Sequence, residues 1–182
     1  GMTNVDYQDL EDFRDVEVFT EYKNFISRGA THKMAMQALR DRSRDSARSP
    51  MQWDDSDYAG FSNVIPWMKV NGNYEAINVE KQRLDANSIL NTYKTLLKLR
   101  DDDQLAFGQV EFIDLKNDDY FAYQTTGKTY DYLVIGHFRN KRTTVSFKLP
   151  SKKYLWMSNV KPDEIEHQTL LPYEARIYRL KK

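Results

Sequence analysis

The hydrophobic period of this chain changes once, near Gln104, and that change limits the folds open to it. Before Gln104, apolar residues recur at three- and four-residue steps, which gathers them on one face of a helix. After it they alternate, which gathers them on one face of a strand. Helices collected in one half and strands in the other predict an α+β chain. The expected boundary follows Gln104, with residues 1–104 helical and residues 105–182 forming an antiparallel β-sandwich of about eighty residues.

In the first half, Val18, Phe19, Tyr22, Phe25 and Ile26 mark one helix, and Gly29 stops it. Thr31 is placed to cap a second helix carrying Met34, Ala35, Ala38 and Leu39, which makes a helical hairpin. From Ser49 to Glu80 the period disappears, and Pro50, Gly60, Pro66 and Gly72 punctuate a long loop. Long loops in compact domains are functional or disordered, and Trp53, Phe61 and Trp67 are expected to act as anchors that keep this one ordered. Asn87 or Ser88 then caps a third helix, with a stripe of Ile89, Tyr93, Leu96, Leu97 and Arg100. Asp101, Asp102 and Asp103 end it, because negative charge is unfavourable at the C-terminal pole of a helix.

The strand-like runs are Val110 to Leu115, Tyr120 to Thr126, Asp131 to Phe138, Thr143 to Leu149 and Glu174 to Leu180. Turn-forming "KNDD", "TGKT" and "RNKR" separate the first four. Tyr120, Phe121, Tyr123, Tyr130 and Tyr132 could offer a sugar-binding face, but the simpler account has half of them filling the core.

Lys+Arg and Asp+Glu both number 27, so no surplus draws the chain to nucleic acid. There is no cysteine, which excludes disulfides, a thiolate metal site and a cysteine nucleophile. His32, His137 and His167 are too far apart for a local metal motif. No apolar run reaches the ~20 residues of a membrane span, and the expected setting is cytoplasmic, with neither nucleic acid nor membrane as partner. The run from Asp54 to Asp57 invites a calcium reading. Counting from Asp55, however, Ala59 stands where an oxygen ligand is needed and Pro66 where the late glutamate belongs, so no metal and no cofactor is expected.

The stretch "DRSRDSARSPMQWDD", Asp41 to Asp55, sets arginines and aspartates beside Pro50, Gln52 and Trp53. A solvated helix face also mixes charges, yet here the helical pattern stops at Pro50. Taken alone, Arg44 and Arg48 read as surface ion pairs.

Four stretches give the chain a family likeness: "GMTNVDYQDLEDFRDVE", "SRDSARSPMQWDDSDYAGFS", "PWMKVNGNYEAINVE" and "NSILNTYKTLLKLR". In this order they resemble the C-terminal part of α-glucosidases of glycoside hydrolase family 13, of the oligo-1,6-glucosidase, dextran glucosidase or trehalose-6-phosphate hydrolase type. The resemblance implies a fold in which a helical remnant of the end of a (β/α)8 barrel precedes a β-sandwich, domain C. It also implies that the catalytic aspartate, the glutamate acid/base and a further aspartate lie on earlier strands, so no catalytic residue is expected in this chain. Gly1 either belongs to the first motif or precedes a start at Met2.

By the same resemblance Arg44 reaches the non-reducing glucose in the intact enzyme, and Arg48, Asp45, Gln52 and Trp53 support it. A planar guanidinium holds two oxygens at fixed geometry, which suits that task. Without the barrel, the Arg44 side chain is expected to be exposed or captured by Asp41, Asp45 or Asp54, adding little stability. The chain alone is expected to be inactive, since a retaining glycosidase needs two carboxyl groups held roughly 5 Å apart. The rival readings are a module that binds sugar or docks on a separate barrel polypeptide, self-association through the helical half, and a decayed reading frame.

Overall fold

A computed structural model describes residues 2–182; Gly1 lies outside the described residues. The chain forms two compact units that divide between Tyr93 and Lys94, inside its longest helix, whereas the sequence placed the boundary after Gln104.

The first unit contains the helical hairpin. Helix α1 (Val16–Ser27) starts at Asp15, whose side chain accepts a hydrogen bond from the Glu17 amide, and Gly29 follows it with φ +86°. That left-handed conformation is one glycine adopts without steric cost. Helix α2 (His32–Arg42) is capped as expected by Thr31, which accepts from the Met34 amide. Val18, Met36 and Leu39 pack with Val5, Tyr7 and Phe13, residues of the preceding segment that carry no helical period. Phe19 and Ile26 face outward.

The long loop is ordered by polar groups, which corrects the expectation of aromatic anchors. Trp53, Phe61 and Trp67 are 47%, 48% and 68% exposed. Gln52 is buried instead, and its amide donates to the Asn73 side chain at 3.0 Å and to the Ile77 carbonyl at 2.6 Å. Asn71 donates to the carbonyls of Thr3 and Asn4 at 3.1 and 3.2 Å. A buried amide can bond several strands of backbone at once, and an unpaired one costs free energy, so these side chains fix the loop's path. At the tip, Gly60 takes φ +63°, a left-handed conformation that glycine adopts without steric cost. The loop ends in a short helix, α3 (Val79–Leu84), capped by Asn78, where the sequence pattern showed only loop as far as Glu80.

Helix α4 (Ile89–Asp102) begins at Ser88, whose Oγ accepts from the Asn91 amide at 3.1 Å. Its expected apolar stripe is largely uncovered: Ile89, Tyr93 and Leu97 are exposed, while Leu99 is buried. Periodicity identifies a helix but not what lies against it.

In the second unit, five strands form an antiparallel sheet in the order β1-β2-β3-β7-β5: β1 (Val110–Ile113), β2 (Tyr120–Thr126), β3 (Tyr130–His137), β7 (Ala175–Lys181) and β5 (Leu155–Ser158). A two-stranded ladder, β4 (Thr143–Thr144) with β6 (Thr169–Leu170), lies on the other side of a shared core. Tyr120, Ala122, Leu133, Ile135 and Tyr178 from the large sheet meet Val145, Leu149 and Leu170. This is a small sandwich. The expected strand from Thr143 to Leu149 shortens to two residues, because the Gln168 side chain takes the Val145 and Phe147 carbonyls that a longer ladder would use. Within the core, Glu174 and Arg176 form a fully buried ion pair, with Nε to Oε1 at 2.6 Å.

The aspartates 101–103 do more than end α4. Asp103 is buried, and its carboxylate accepts from the Thr129 and Tyr130 amides at 2.5 and 3.1 Å and from the Tyr132 hydroxyl at 2.7 Å. Burial raises its pKa, but these donors outweigh burial and hold the carboxyl below its usual range. Asp103 thereby ties the end of α4 to the sheet, so the last turns of the helix belong to the strand unit. Of the five aromatics noted above, Tyr120 and Tyr132 are buried, and Phe121 is exposed. Among the described residues, no helix is long and apolar enough to cross a membrane.

Candidate functional site

The charged loop folds back on the start of α1. After α2, Ser43 caps a 3₁₀ turn from Arg44 to Arg48 by accepting from the Asp45 amide at 3.1 Å. This turn sends the two neighbouring side chains to different parts of one target. Arg44 donates through Nε and Nη2 to the two oxygens of Asp15 at 2.8 and 3.0 Å, and its Nη2 lies 3.2 Å from Glu17. Asp45, fully buried, accepts from the backbone amides of Arg14 and Asp15 at 2.7 and 2.9 Å. The arginine holds the side chain of Asp15 and the aspartate holds its backbone.

Of the two outcomes expected for Arg44, exposure agrees with the structure, its side chain being 55% exposed, while capture by Asp41, Asp45 or Asp54 does not: the partner is Asp15, with Glu17 beside it. Residues twenty-nine apart in sequence cannot be matched by spacing alone. The available signal was the position of Asp15 directly before a helical period, where a capping carboxylate is favoured.

Arg48 stays near Asp45, with Nη1 3.8 Å from Oδ1, too far for a hydrogen bond. That Oδ1 and the hydroxyl of Tyr7 are buried atoms with no hydrogen-bond partner among the described residues. Burial, with the Asp45 charge second, pushes the Tyr7 hydroxyl up to about 12, so it remains protonated. Gln52 is brought to the loop's interior, while Trp53 stays half-exposed, its amide donating to the Ala59 carbonyl at 2.8 Å.

The electrostatics limit the chemistry. The Arg44 hydrogen bond holds the Asp15 carboxyl below the usual carboxylate range, so Asp15 is ionised at neutral pH and has no proton to give. Arginine stays protonated. The pair can orient an oxygen-bearing ligand at the exposed side of the guanidinium, but it cannot act as general acid. Asp45→Ala is expected to destabilise the helical unit by about 3 kcal/mol, since two backbone amides lose a charged acceptor in a buried place. Urea unfolding followed by circular dichroism measures this, and a change below about 1 kcal/mol would show that the amides find other partners.

Residues 1–108 match the family model described as "Alpha amylase, catalytic domain". The chain is 37% identical to an oligo-1,6-glucosidase of Bacillus cereus over 190 residues, covering all of this chain and 34% of that protein. It is 35% identical to a trehalose-6-phosphate hydrolase of Bacillus subtilis, with the same coverage. Among solved structures, the trehalose-6-phosphate hydrolase of Bacillus licheniformis superposes with a TM-score of 0.85 at 31% identity, covering the whole chain and 34% of that one. The chain thus spans about a third of the length of the relatives it matches, and that third is C-terminal.

Proposed function

The chain belongs to the alpha-amylase family, and from that premise we propose that it is the C-terminal part of an α-glucosidase acting on α-1,6-linked gluco-oligosaccharides or a related α-glucoside. In that reading Arg44, pinned by Asp15, locates the terminal glucose, and Arg48, Asp45, Gln52 and Trp53 hold the loop that carries it. The observation that carries the proposal is the bidentate Arg44–Asp15 pair. It pins a half-exposed guanidinium at one orientation, which a positioning residue requires and a loose surface arginine lacks.

The 182-residue polypeptide is itself read as non-hydrolytic, since two thirds of the length of its relatives has no counterpart in it. Incubated with isomaltose, p-nitrophenyl α-glucoside and trehalose 6-phosphate, it is expected to release no glucose above the uncatalysed rate. Saturable turnover that survives repurification would overturn this.

The exposed stripe of Ile89, Tyr93 and Leu97 supports a second reading, in which the chain completes a separate barrel polypeptide. Mixing it with residues equivalent to the first two thirds of a relative is then expected to restore hydrolysis. No gain over the barrel polypeptide alone would remove that reading.

A further inference from the structure

Asn71 and Gly72 form the only Asn-Gly pair in the sequence, and Asn71 holds the start of the chain against the long loop. Its buried side-chain amide donates to the Thr3 carbonyl at 3.1 Å, to the Thr3 hydroxyl at 3.2 Å and to the Asn4 carbonyl at 3.2 Å. Asn73 donates to the same hydroxyl at 2.8 Å and accepts from Gln52 at 3.0 Å, so the strap formed by Thr3 and Asn4 is joined to the loop's interior. We propose that Asn71 is a deamidation site whose conversion to a carboxylate permanently releases this strap from the loop. The site lies within the helical unit and is independent of the role of Arg44.

The residue that follows Asn71 makes the step feasible. The attacking atom is the backbone nitrogen of Gly72, and a residue without Cβ leaves that nitrogen unhindered and reaches backbone angles closed to others. The nitrogen gives up its proton and bonds to Asn71 Cγ. The Cγ–Nδ2 bond breaks, and Nδ2 leaves as ammonia carrying that proton, with a succinimide ring left behind. Water then adds at one of the two ring carbonyl carbons as its bond to the ring nitrogen breaks, which gives aspartate or isoaspartate. Nothing is oxidised or reduced, and water is the sole co-reactant. The rate rises with pH, because the attacking nitrogen must lose its proton.

The fold sets both the rate and the consequence. Turning Cγ onto the Gly72 nitrogen breaks the three bonds that hold Nδ2, so reaction waits for the strap to open locally. After conversion the strap cannot close as before. A carboxylate has no proton to donate, and the Thr3 and Asn4 carbonyls would meet negative charge where they met N–H groups. The Thr3 hydroxyl alone can turn to donate. Isoaspartate disrupts more, since it routes the backbone through the side chain and displaces the Asn71 carbonyl, which accepts from the Tyr74 amide at 3.2 Å. A brief opening is thereby made permanent.

The test incubates the 182-residue chain at mildly alkaline pH and follows the peptide containing Asn71 by mass spectrometry, which reads the replacement of ammonia by water. Conversion is expected in the folded chain, and at least about tenfold faster in urea, where the strap is open. Gly72→Ala is expected to slow it about tenfold in urea, through hindrance at the nitrogen. That variant keeps the fold, because a Cβ at Gly72 meets nothing within 4 Å. The converted chain, separated by anion exchange, is expected to melt about 5 °C lower than the fresh chain. Its amides over residues 3–10 are expected to exchange faster with solvent, including that of Tyr7, which donates to the Val5 carbonyl at 3.0 Å. Asn71→Asp is expected to reproduce both changes. No conversion in the folded chain, equal rates with and without urea, or Gly72→Ala reacting as fast as the parent would each overturn the proposal. So would a converted chain that melts and exchanges like the fresh one.

Discussion

Glu174→Ala is expected to cost the strand unit about 3–5 kcal/mol, a large part of the stability of a domain this size. Glu174 and Arg176 are both fully buried. Arg176 donates to Glu174 through Nε and Nη2 at 2.6 and 2.9 Å, to the Thr169 carbonyl at 2.6 Å and to the His167 carbonyl at 3.1 Å. Glu174 also accepts from the Leu171 amide at 2.8 Å. Removing the carboxylate leaves a guanidinium in the core with its charge uncompensated, which costs more than the pair contributes when intact. Replacing both residues, as Glu174→Leu with Arg176→Met, is therefore expected to be less harmful than Glu174→Ala alone. Urea unfolding read by Trp156, in a chain with Trp53 and Trp67 changed to Phe, separates the strand unit from the helical one. A single-variant loss below about 1 kcal/mol, or a double variant worse than the single, would show that the pair does not organise this core.

Arg44→Ala is expected to lower kcat/KM by roughly 30- to 1,000-fold when introduced into a full-length relative carrying the same loop, through loss of a charge-assisted contact to substrate. In the present chain its effect is a loss of stability that depends on pH. The Arg44 hydrogen bond depresses the Asp15 carboxyl, and a depressed carboxyl stabilises the fold above its unfolded pKa, with the contribution fading as pH falls through its folded value. The melting temperatures of parent and variant are thus expected to differ most near neutrality and to converge below about pH 4. The partner is a buried carboxylate, so a larger effect is expected here than for an ion pair between two exposed side chains. Arg44→Lys keeps the charge but not the two-point contact, so it is expected to recover part of the stability and little of the activity. Equal recovery of both would assign Arg44 a structural task and end its role in positioning.

The order of elements was open to a sequence reader because it rests on local causes. Apolar spacing marked α1, α2, α4 and the strands β1, β2, β3 and β7, and Thr31, Gly29 and Ser88 marked helix ends by chemistry acting within four residues. The likeness of the loop around Arg44 to a glycosidase family was also readable, since its motifs are contiguous.

Tertiary structure decided the partners, because they act across distance in the chain. The sequence determined that Arg44 would be charged, and its pattern continued the helix as far as Pro50, whereas the helix ends at Arg42 and Arg44 opens a separate 3₁₀ turn. Folding determined that Asp15, twenty-nine residues earlier, would hold Arg44. The aspartates 101–103 announced a helix end, yet only the approach of the turn at Thr129 and Tyr130 made Asp103 the strap between α4 and the sheet. The two-residue strand β6 is too short for a period to emerge, and β4 stops where Gln168 competes for its carbonyls. Local propensity names the elements. Which buried polar group meets which is settled when water is excluded and each must find a partner.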